Sequence, residues 1–322
     1  MSKMYNEQLK QEFLDTFIES TSETYKFIFY RTAETEEVLE RDLYTFSTEE
    51  IKDTLISFRS TTLNSIKLSH FVISSYITWA AKYREYGNIN PALDIKVSEL
   101  RTYIDHSLKL YISEDELIEI ENKLVNYQDK AIVRAIFEGI NGYQHSELRN
   151  LTIHDLKKAR KNNNTLLLKD DKYGERELQV SDRCLLLLEE AAVEKTYFLQ
   201  NGKAVGKRTS VPLIENDYVI RSKRTRINEG RVDRHLIYRT VSSISELFEL
   251  KYLRAKNIEK SGMIKFAKDI MTSDEIDNEI LAKVAKRFNA VPVIINGNSY
   301  TNLKEFINID NIRELYSSEE IK

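Results

Sequence analysis

The chain has one cysteine, three prolines and nine glycines in 322 residues. A single cysteine excludes an internal disulfide. Cys184 lies in the apolar run CLLLL, which predicts a buried, inert thiol and a reducing, cytoplasmic setting. So few prolines and glycines exclude a low-complexity linker and leave long stretches free to form helix. Uncharged apolar runs fall short of the roughly 18 residues that span a bilayer, and the opening MSKMYNEQLKQEF has no apolar h-region, so neither export nor membrane anchoring is expected. The usual enzyme signatures are missing too. His70, His106, His145, His154 and His235 have no cysteine or carboxylate partners at zinc spacing, and neither a GxxxxGK loop nor a Gly-x-Ser-x-Gly elbow occurs. No metal and no cofactor are expected.

What is present suffices for two ordinary domains, with 41% hydrophobic residues. The net charge of −3, from 48 basic and 51 acidic side chains, argues on average against a polyanionic partner. The average hides a patch. Segment 221–234, RSKRTRINEGRVDR, holds Arg221, Lys223, Arg224, Arg226, Arg231 and Arg234 against Glu229 and Asp233, whereas segment 33–42, AETEEVLERD, is strongly acidic. Such segregation fits either a nucleic-acid face on an acidic body or a solvated basic loop. If the patch is a nucleic-acid face, charge reversal of Arg224 and Arg226 is expected to weaken binding more than reversal of Lys3 and Lys10.

Helix signals dominate. Capping boxes are expected at Ser47–Glu50, Ser113–Glu116 and Thr272–Glu275. Residues 62–86 place Leu63, Ile66, Ile73, Ile77 and Ala80 at helical spacing up to Gly87, and a further helical segment is expected over 97–111. A domain boundary is placed near residue 111, giving domains 1–111 and 112–322. In the second, helices around 114–126 and 129–140 precede a β-hairpin, TLLLK and RELQV, whose turn contains Gly174. CLLLLEEAAVEKTYFL resumes a helix, DYVI reads as a short strand, and residues 235–253 form an amphipathic helix. The segment VPVIINGNSYTNLKEF reads as a strand, a turn at Asn296 and Gly297, and a helix. The fold class is thus mainly α with a small β-sheet.

Three features recur in a telling order. A helix breaks at GYQHSEL (142–148), a hairpin carries Lys172 and Gly174, and a helix opens with HLIYRT (235–240). This order resembles the catalytic domain of the tyrosine recombinases, the phage integrase family. The Gly-Leu-Arg-x-Ser-Glu-Leu box is matched at Gly142, Ser146, Glu147 and Leu148, with Gln144 at the first arginine position. The hairpin is matched at Lys172 and Gly174, with Arg176 one place early. The His-x-x-Arg-x-Thr box is matched at His235 and Thr240, with Tyr238 at the second arginine position and Arg239 one place late. Residues 42–95, ending in Asn90–Pro91, look like the family's helical, SAM-like core-binding domain.

The resemblance implies a core-binding domain followed by a catalytic-type domain, with double-stranded DNA as partner. Strand exchange needs two guanidiniums on the phosphodiester and a tyrosine nucleophile. Gln144 and Tyr238 carry no charge, and no tyrosine lies between Tyr252 and Tyr300. The expectation is therefore a non-enzymatic, sequence-specific DNA-binding protein in the bacterial nucleoid, similar to the recombinase-like repressors of SPβ-type Bacillus prophages. It would hold the duplex between its two domains, and an antirepressor or co-regulator is the further partner such a role implies.

Phosphate contacts are expected from Lys172 and Arg176 of the hairpin, His235 and Arg239 of the box helix, and Arg221, Lys223, Arg224, Arg226, Arg231 and Arg234 before it. Lys172 reads equally as a solvated turn lysine, His235 as a helix-start histidine without a ligand, and Ser146 and Glu147 as caps of the following turn. An active divergent recombinase using Tyr300 or Tyr316, an architectural accessory factor and a protein-binding scaffold stay open as alternatives.

Overall fold

A computed structural model describes residues 3–83, 89–105, 109–224, 230–273, 275–290, 293–295, 298–300 and 302–316. The chain divides into two units, Met1–Leu108 and Lys109–Lys322.

The first unit is built on α1 (Glu7–Leu14), α2 (Glu19–Leu39), α3 (Thr48–Ser57) and α4 (Leu63–Ala80). Of the predicted apolar stripe, Ile66, Ile73, Ile77 and Ala80 are buried along α4, joined by Val72 and Tyr76, and Leu63 is half-buried at its start. The capping box at Ser47 and Glu50 forms and starts α3. The Asn90–Pro91 turn is tied to α4, because the Asn90 amide donates to the Ser74 carbonyl and the Thr78 hydroxyl, each at 2.8 Å. Two expectations fail. Among its described residues, segment 97–111 forms a short 3-10 helix, Glu99–Tyr103, in which Leu100 alone is buried, so no apolar stripe supports an α-helix there; residues 106–108, His106 among them, lie outside the described residues. Lys10, set beside Lys3 as the comparison for the basic patch, is not on the surface and cannot serve as one. It is fully buried, with Nζ 2.6 Å from Glu36 and 3.5 Å from Asp42.

The second unit places α6 (Tyr127–Glu138) at its centre, after α5 (Glu114–Lys123). Every α6 residue from Ala131 to Glu138 is buried, including the charged Arg134 and Glu138. Around it follow α7 (Ser146–Asn150), α8 (Ile153–Lys161), α9 (Asp182–Val193), α10 (Arg234–Leu247), α11 (Ala255–Ile270), α12 (Asn278–Arg287) and α13 (Ile309–Tyr316). The Ser113–Glu116 box forms, and a further one starts α8 at Thr152 and Asp155. The Thr272 box does not: α12 starts at Asn278, where the Asp277 carboxylate accepts from the Ile280 N–H. The charged acceptor at 277 stands directly before the apolar stripe Ile280, Leu281 and Val284, and so sets the start. Cys184 is buried, and burial pushes its thiol well up.

Strands form three separate antiparallel ribbons among the described residues: β1 (Thr165–Asp170) with β2 (Gly174–Gln179), β3 (Thr196–Phe198) with β4 (Ser210–Pro212), and β5 (Val293–Ile295) with β6 (Asn298–Tyr300). The hairpin register runs from Thr165 opposite Gln179 to Asp170 opposite Gly174, turning Leu166, Leu168 and Leu178 inward. DYVI is not a strand; it makes one bridge, Tyr218 to Thr152. Asn296 and Gly297 lie outside the described residues, and α10 ends at Leu247 rather than near 253, with Glu249 in the left-handed region.

Candidate functional site

The site grows out of the end of α6. Gly139 takes φ of +96° as the helix C-cap, and the Ile140 N–H returns to the Ala135 carbonyl at 2.8 Å. Gly142 takes φ of +71°, and a Cβ there would run into the Asp170 carboxylate and come within 2.7 Å of Glu147 Cγ. The chain then makes a 3-10 turn, Tyr143–His145, in which Gln144 and His145 both lie in the left-handed region. Side chains avoid that region at a cost of order 1 kcal/mol each, so the turn has to be held from outside.

Glu147 and Ser146 hold it. The buried Glu147 carboxylate accepts from the Asn141 N–H at 2.9 Å and from Arg176 Nε and Nη2 at 2.6 and 2.8 Å. Ser146 Oγ accepts from the Asp171 N–H at 3.1 Å. The two therefore brace the preceding turn and the hairpin, not the following turn. Arg176 also donates to the Gly139 and Arg287 carbonyls, so both edges of its guanidinium face inward. That corrects its assignment to the phosphate-facing set: the residue one place early is a brace.

Gln144 and Tyr238 are the residues that the sequence resemblance sets against two arginines. Gln144 is half-buried and donates to the Tyr143 hydroxyl at 3.1 Å. Tyr238 is 45% exposed, and its ring meets that of His145 edge-on, with centroids 4.8 Å apart. His145 is buried with neither ring nitrogen hydrogen-bonded. Burial pushes its imidazole down to about 4, nearby Glu259 opposing and Arg149 reinforcing the shift. Because the folded value lies below the ordinary 6.5, the stabilisation is complete above pH 6.5 and is lost as pH falls toward 4. The loss at the acid end is about 3 kcal/mol. Urea unfolding at pH 7.5 and 4.5 should show it in the wild type and not in His145→Phe; parallel losses in both would remove His145 as the cause.

The described residues of the basic segment do not form one patch. Arg221 is buried, donating to the Ala191 and Glu194 carbonyls, and Lys223 packs its ammonium over the Tyr197 ring at 3.8 Å. Both are thereby placed within the fold. Arg224 is exposed, and Arg226 lies outside the described residues. Arg231 pairs with Asp171 through both nitrogens at 2.8 Å. Arg234, His235 and Arg239 are exposed at the start of α10, where the Arg239 Nε donates to the His235 carbonyl. Lys172 is exposed in the hairpin turn, its ammonium 5.3 Å from the Tyr143 ring and 5.1 Å from that of Tyr173. The turn around Gln144, the hairpin tip and the start of α10 thus converge, linked by Arg231–Asp171 and by His145–Tyr238.

Sequence reasoning missed Arg149, Asn150 and Asp171. Arg149, on α7 between the buried Leu148 and Leu151, is itself buried, with Nη2 3.4 Å from Asp171. A charge flanked by core leucines was the available signal. Among the described residues, no group of three or more His, Cys, Asp or Glu is placed to hold a metal ion, and no helix is long and apolar enough to cross a membrane.

The family described as "MrpR, C-terminal catalytic domain" matches residues 111–317, and "MrpR, N-terminal core-binding domain" matches residues 4–82. The SPbeta prophage-derived uncharacterized protein YopR of Bacillus subtilis (strain 168) is 36% identical over 319 residues, covering 98% of each chain. Among solved structures, XerA recombinase is 15% identical with a TM-score of 0.42, over 99% of this chain and 100% of that one. A lambda integrase dimer bound to a COC' core site is 12% identical with a TM-score of 0.49, over 98% and 80%. With both of its domains matched and a full-length prophage relative, the chain belongs to the MrpR family.

Proposed function

We propose that this protein binds specific double-stranded DNA and represses prophage transcription by occupancy, without cutting the strand it holds. The observation that carries the reading is a braced recombinase-type turn with uncharged Gln144 and Tyr238 at the two arginine positions. Each missing transition-state donor costs roughly 10² to 10³ in rate, so two independent losses cost about 10⁴ to 10⁶. Tyr316, one candidate nucleophile, is buried beneath the Lys268 ammonium at 4.5 Å, which disfavours attack on a phosphodiester. Binding needs none of this chemistry. Lys172, Arg224, Arg234, His235 and Arg239 remain exposed, and each neutralised phosphate contributes roughly −0.9 to the slope of log affinity against log salt. The prophage origin of the relative supports a regulatory role.

Gel shifts on prophage DNA fragments across a salt series should show a few preferred fragments and a steep salt slope. Reversing Arg234 and Arg239 together should weaken binding by about tenfold or more, whereas reversing the exposed Lys3 should change little. Loss of all shifts, or equal effects of the two reversals, counts against the reading. A covalent adduct on a nicked suicide substrate, abolished by Tyr300→Phe or Tyr316→Phe, would instead establish an active recombinase.

A further inference from the structure

Arg149, Arg231 and Asn150 surround one carboxylate, that of Asp171 in the turn between β1 and β2. Arg231 grips it bidentately at 2.8 Å, Asn150 Nδ2 donates to Oδ1 at 3.0 Å, and Arg149 Nη2 stands 3.4 Å from Oδ2. These donors hold the Asp171 carboxyl down to about 2. The fork and amide are the donor set that proteins use for a phosphate oxyanion as readily as for a carboxylate. Two guanidiniums share a single carboxylate, so the cluster keeps an excess positive charge. The Arg149 side chain is only 8% exposed, and its Nε has no hydrogen-bond partner. A buried, unmatched guanidinium N–H is costly and is what an oxyanion larger than a carboxylate would satisfy.

The Asp171 side chain is not needed to build the turn. The neighbouring Asp170 does that, accepting from the Lys172 and Tyr173 N–H groups through Oδ1 and from Tyr143 N–H through Oδ2. Asp171 is one-third exposed at the hairpin tip, beside exposed Lys172 and Tyr173, so its carboxylate can leave toward solvent.

We propose that Arg149, Arg231 and Asn150 form a receptor for a DNA backbone phosphate, and that Asp171 is an internal anion that fills it until DNA displaces it. The proposal rests on the DNA-binding reading above and adds a residue that opposes binding. Asp171 competes with every duplex for the same donors, which lowers affinity for indifferent sequence; a site whose other contacts favour it gains enough to drive the exchange.

Two measurements on the full chain test it. Fluorescence anisotropy with a labelled mixed-sequence duplex follows the wild type, Asp171→Asn, Arg149→Gln and the double variant. Thermal unfolding with added inorganic pyrophosphate reads the receptor without DNA. Asp171→Asn should bind the duplex about tenfold more tightly, the difference made by one freed charge-assisted contact, with a salt slope roughly one unit steeper. It should also gain more thermal stabilisation from pyrophosphate than the wild type. Both gains should vanish when Arg149→Gln is combined, and Arg231→Gln supplies a second background if Arg149→Gln does not fold. Duplex binding that Asp171→Asn leaves unchanged, or improves equally in every background, overturns the receptor and leaves the DNA-binding reading standing. Absent duplex binding with a pyrophosphate gain overturns the DNA occupant and the reading beneath it. Absence of both gains overturns the receptor altogether.

Discussion

Lys10→Met is expected to destabilise the first unit by about 3 to 5 kcal/mol, the usual result of removing one partner from a buried ion pair. Lys10 is fully buried and faces two carboxylates, Glu36 at 2.6 Å and Asp42 at 3.5 Å, while its ammonium also donates to the Tyr5 carbonyl. Each carboxylate is further tied down. Glu36 accepts from the Leu43 N–H and the Thr32 hydroxyl, and Asp42 from the Tyr76 hydroxyl and the Asn6 amide. Methionine fills the volume of the lysine stem but leaves two negative charges together out of water. Burial already raises the Glu36 carboxyl, with Lys10 opposing that rise, so the variant should raise it further. A carboxyl raised in the folded state favours folding at low pH and loses that contribution as pH rises through the folded value. The deficit in urea unfolding should therefore be larger at pH 8 than at pH 5. Adding Glu36→Gln to Lys10→Met should recover part of it. A variant within about 1 kcal/mol of wild type at pH 8 would show that the cluster is not held together by its charge.

Lys10 also marks where the sequence stopped being legible. In MSKMYNEQLKQEF it has the look of an ordinary polar-face lysine, and its partners lie 26 and 32 residues away. Arg176 is the same case: the guanidinium reads as a phosphate ligand until Glu147 and two distant carbonyls account for its donors. Arg221 lies in a run of cations that includes the exposed Arg224 and Arg234, yet it caps carbonyls at the end of α9. In all three, charge was visible and burial was not, because burial is set by the tertiary partner and not by the local pattern. Local determinants were read correctly where one turn of chain contains them. Ser47 with Glu50, Ser113 with Glu116, the apolar stripe of α4, the β1–β2 hairpin and the glycine break at 139–142 all formed as expected. Thr272 failed within the same logic, because Asp277 offers a stronger acceptor nearer the apolar residues of α12. The ordered motifs gave the frame of the site, whereas Arg149 and Asp171, which no motif names, supply its unexplained charge.

Gly262→Ala should cost the second unit about 3 kcal/mol or more, although alanine is the better helix former. On propensity alone the change would stabilise α11 by about 1 kcal/mol. Packing decides the sign. A Cβ at 262 would overlap the Phe137 carbonyl oxygen and lie 2.7 Å from its carbon and 3.1 Å from its Cα. These are backbone atoms of α6, so no rotamer change relieves the overlap; the two helices have to separate. Ser261, beside the glycine, shows how close the fit is, since its hydroxyl accepts from the Ile112 N–H at 3.1 Å and donates to the Asn257 carbonyl at 2.7 Å. For a unit of about 200 residues, a loss of this size lowers the melting temperature by roughly 6 to 12 °C. The consequence reaches the site, because Phe137 lies one residue before the end of α6 and two before Gly139, whose carbonyl accepts from Arg176. Pushing this end of α6 away from α11 should loosen the brace of Arg176 and Glu147 around the Gln144 turn. On the proposed function, DNA binding should then weaken at temperatures where the variant is still folded, a separation that gel shifts and thermal unfolding on the same samples can resolve. A Gly262→Ala variant as stable as wild type, or more so, would mean that α11 does not approach α6 through this glycine.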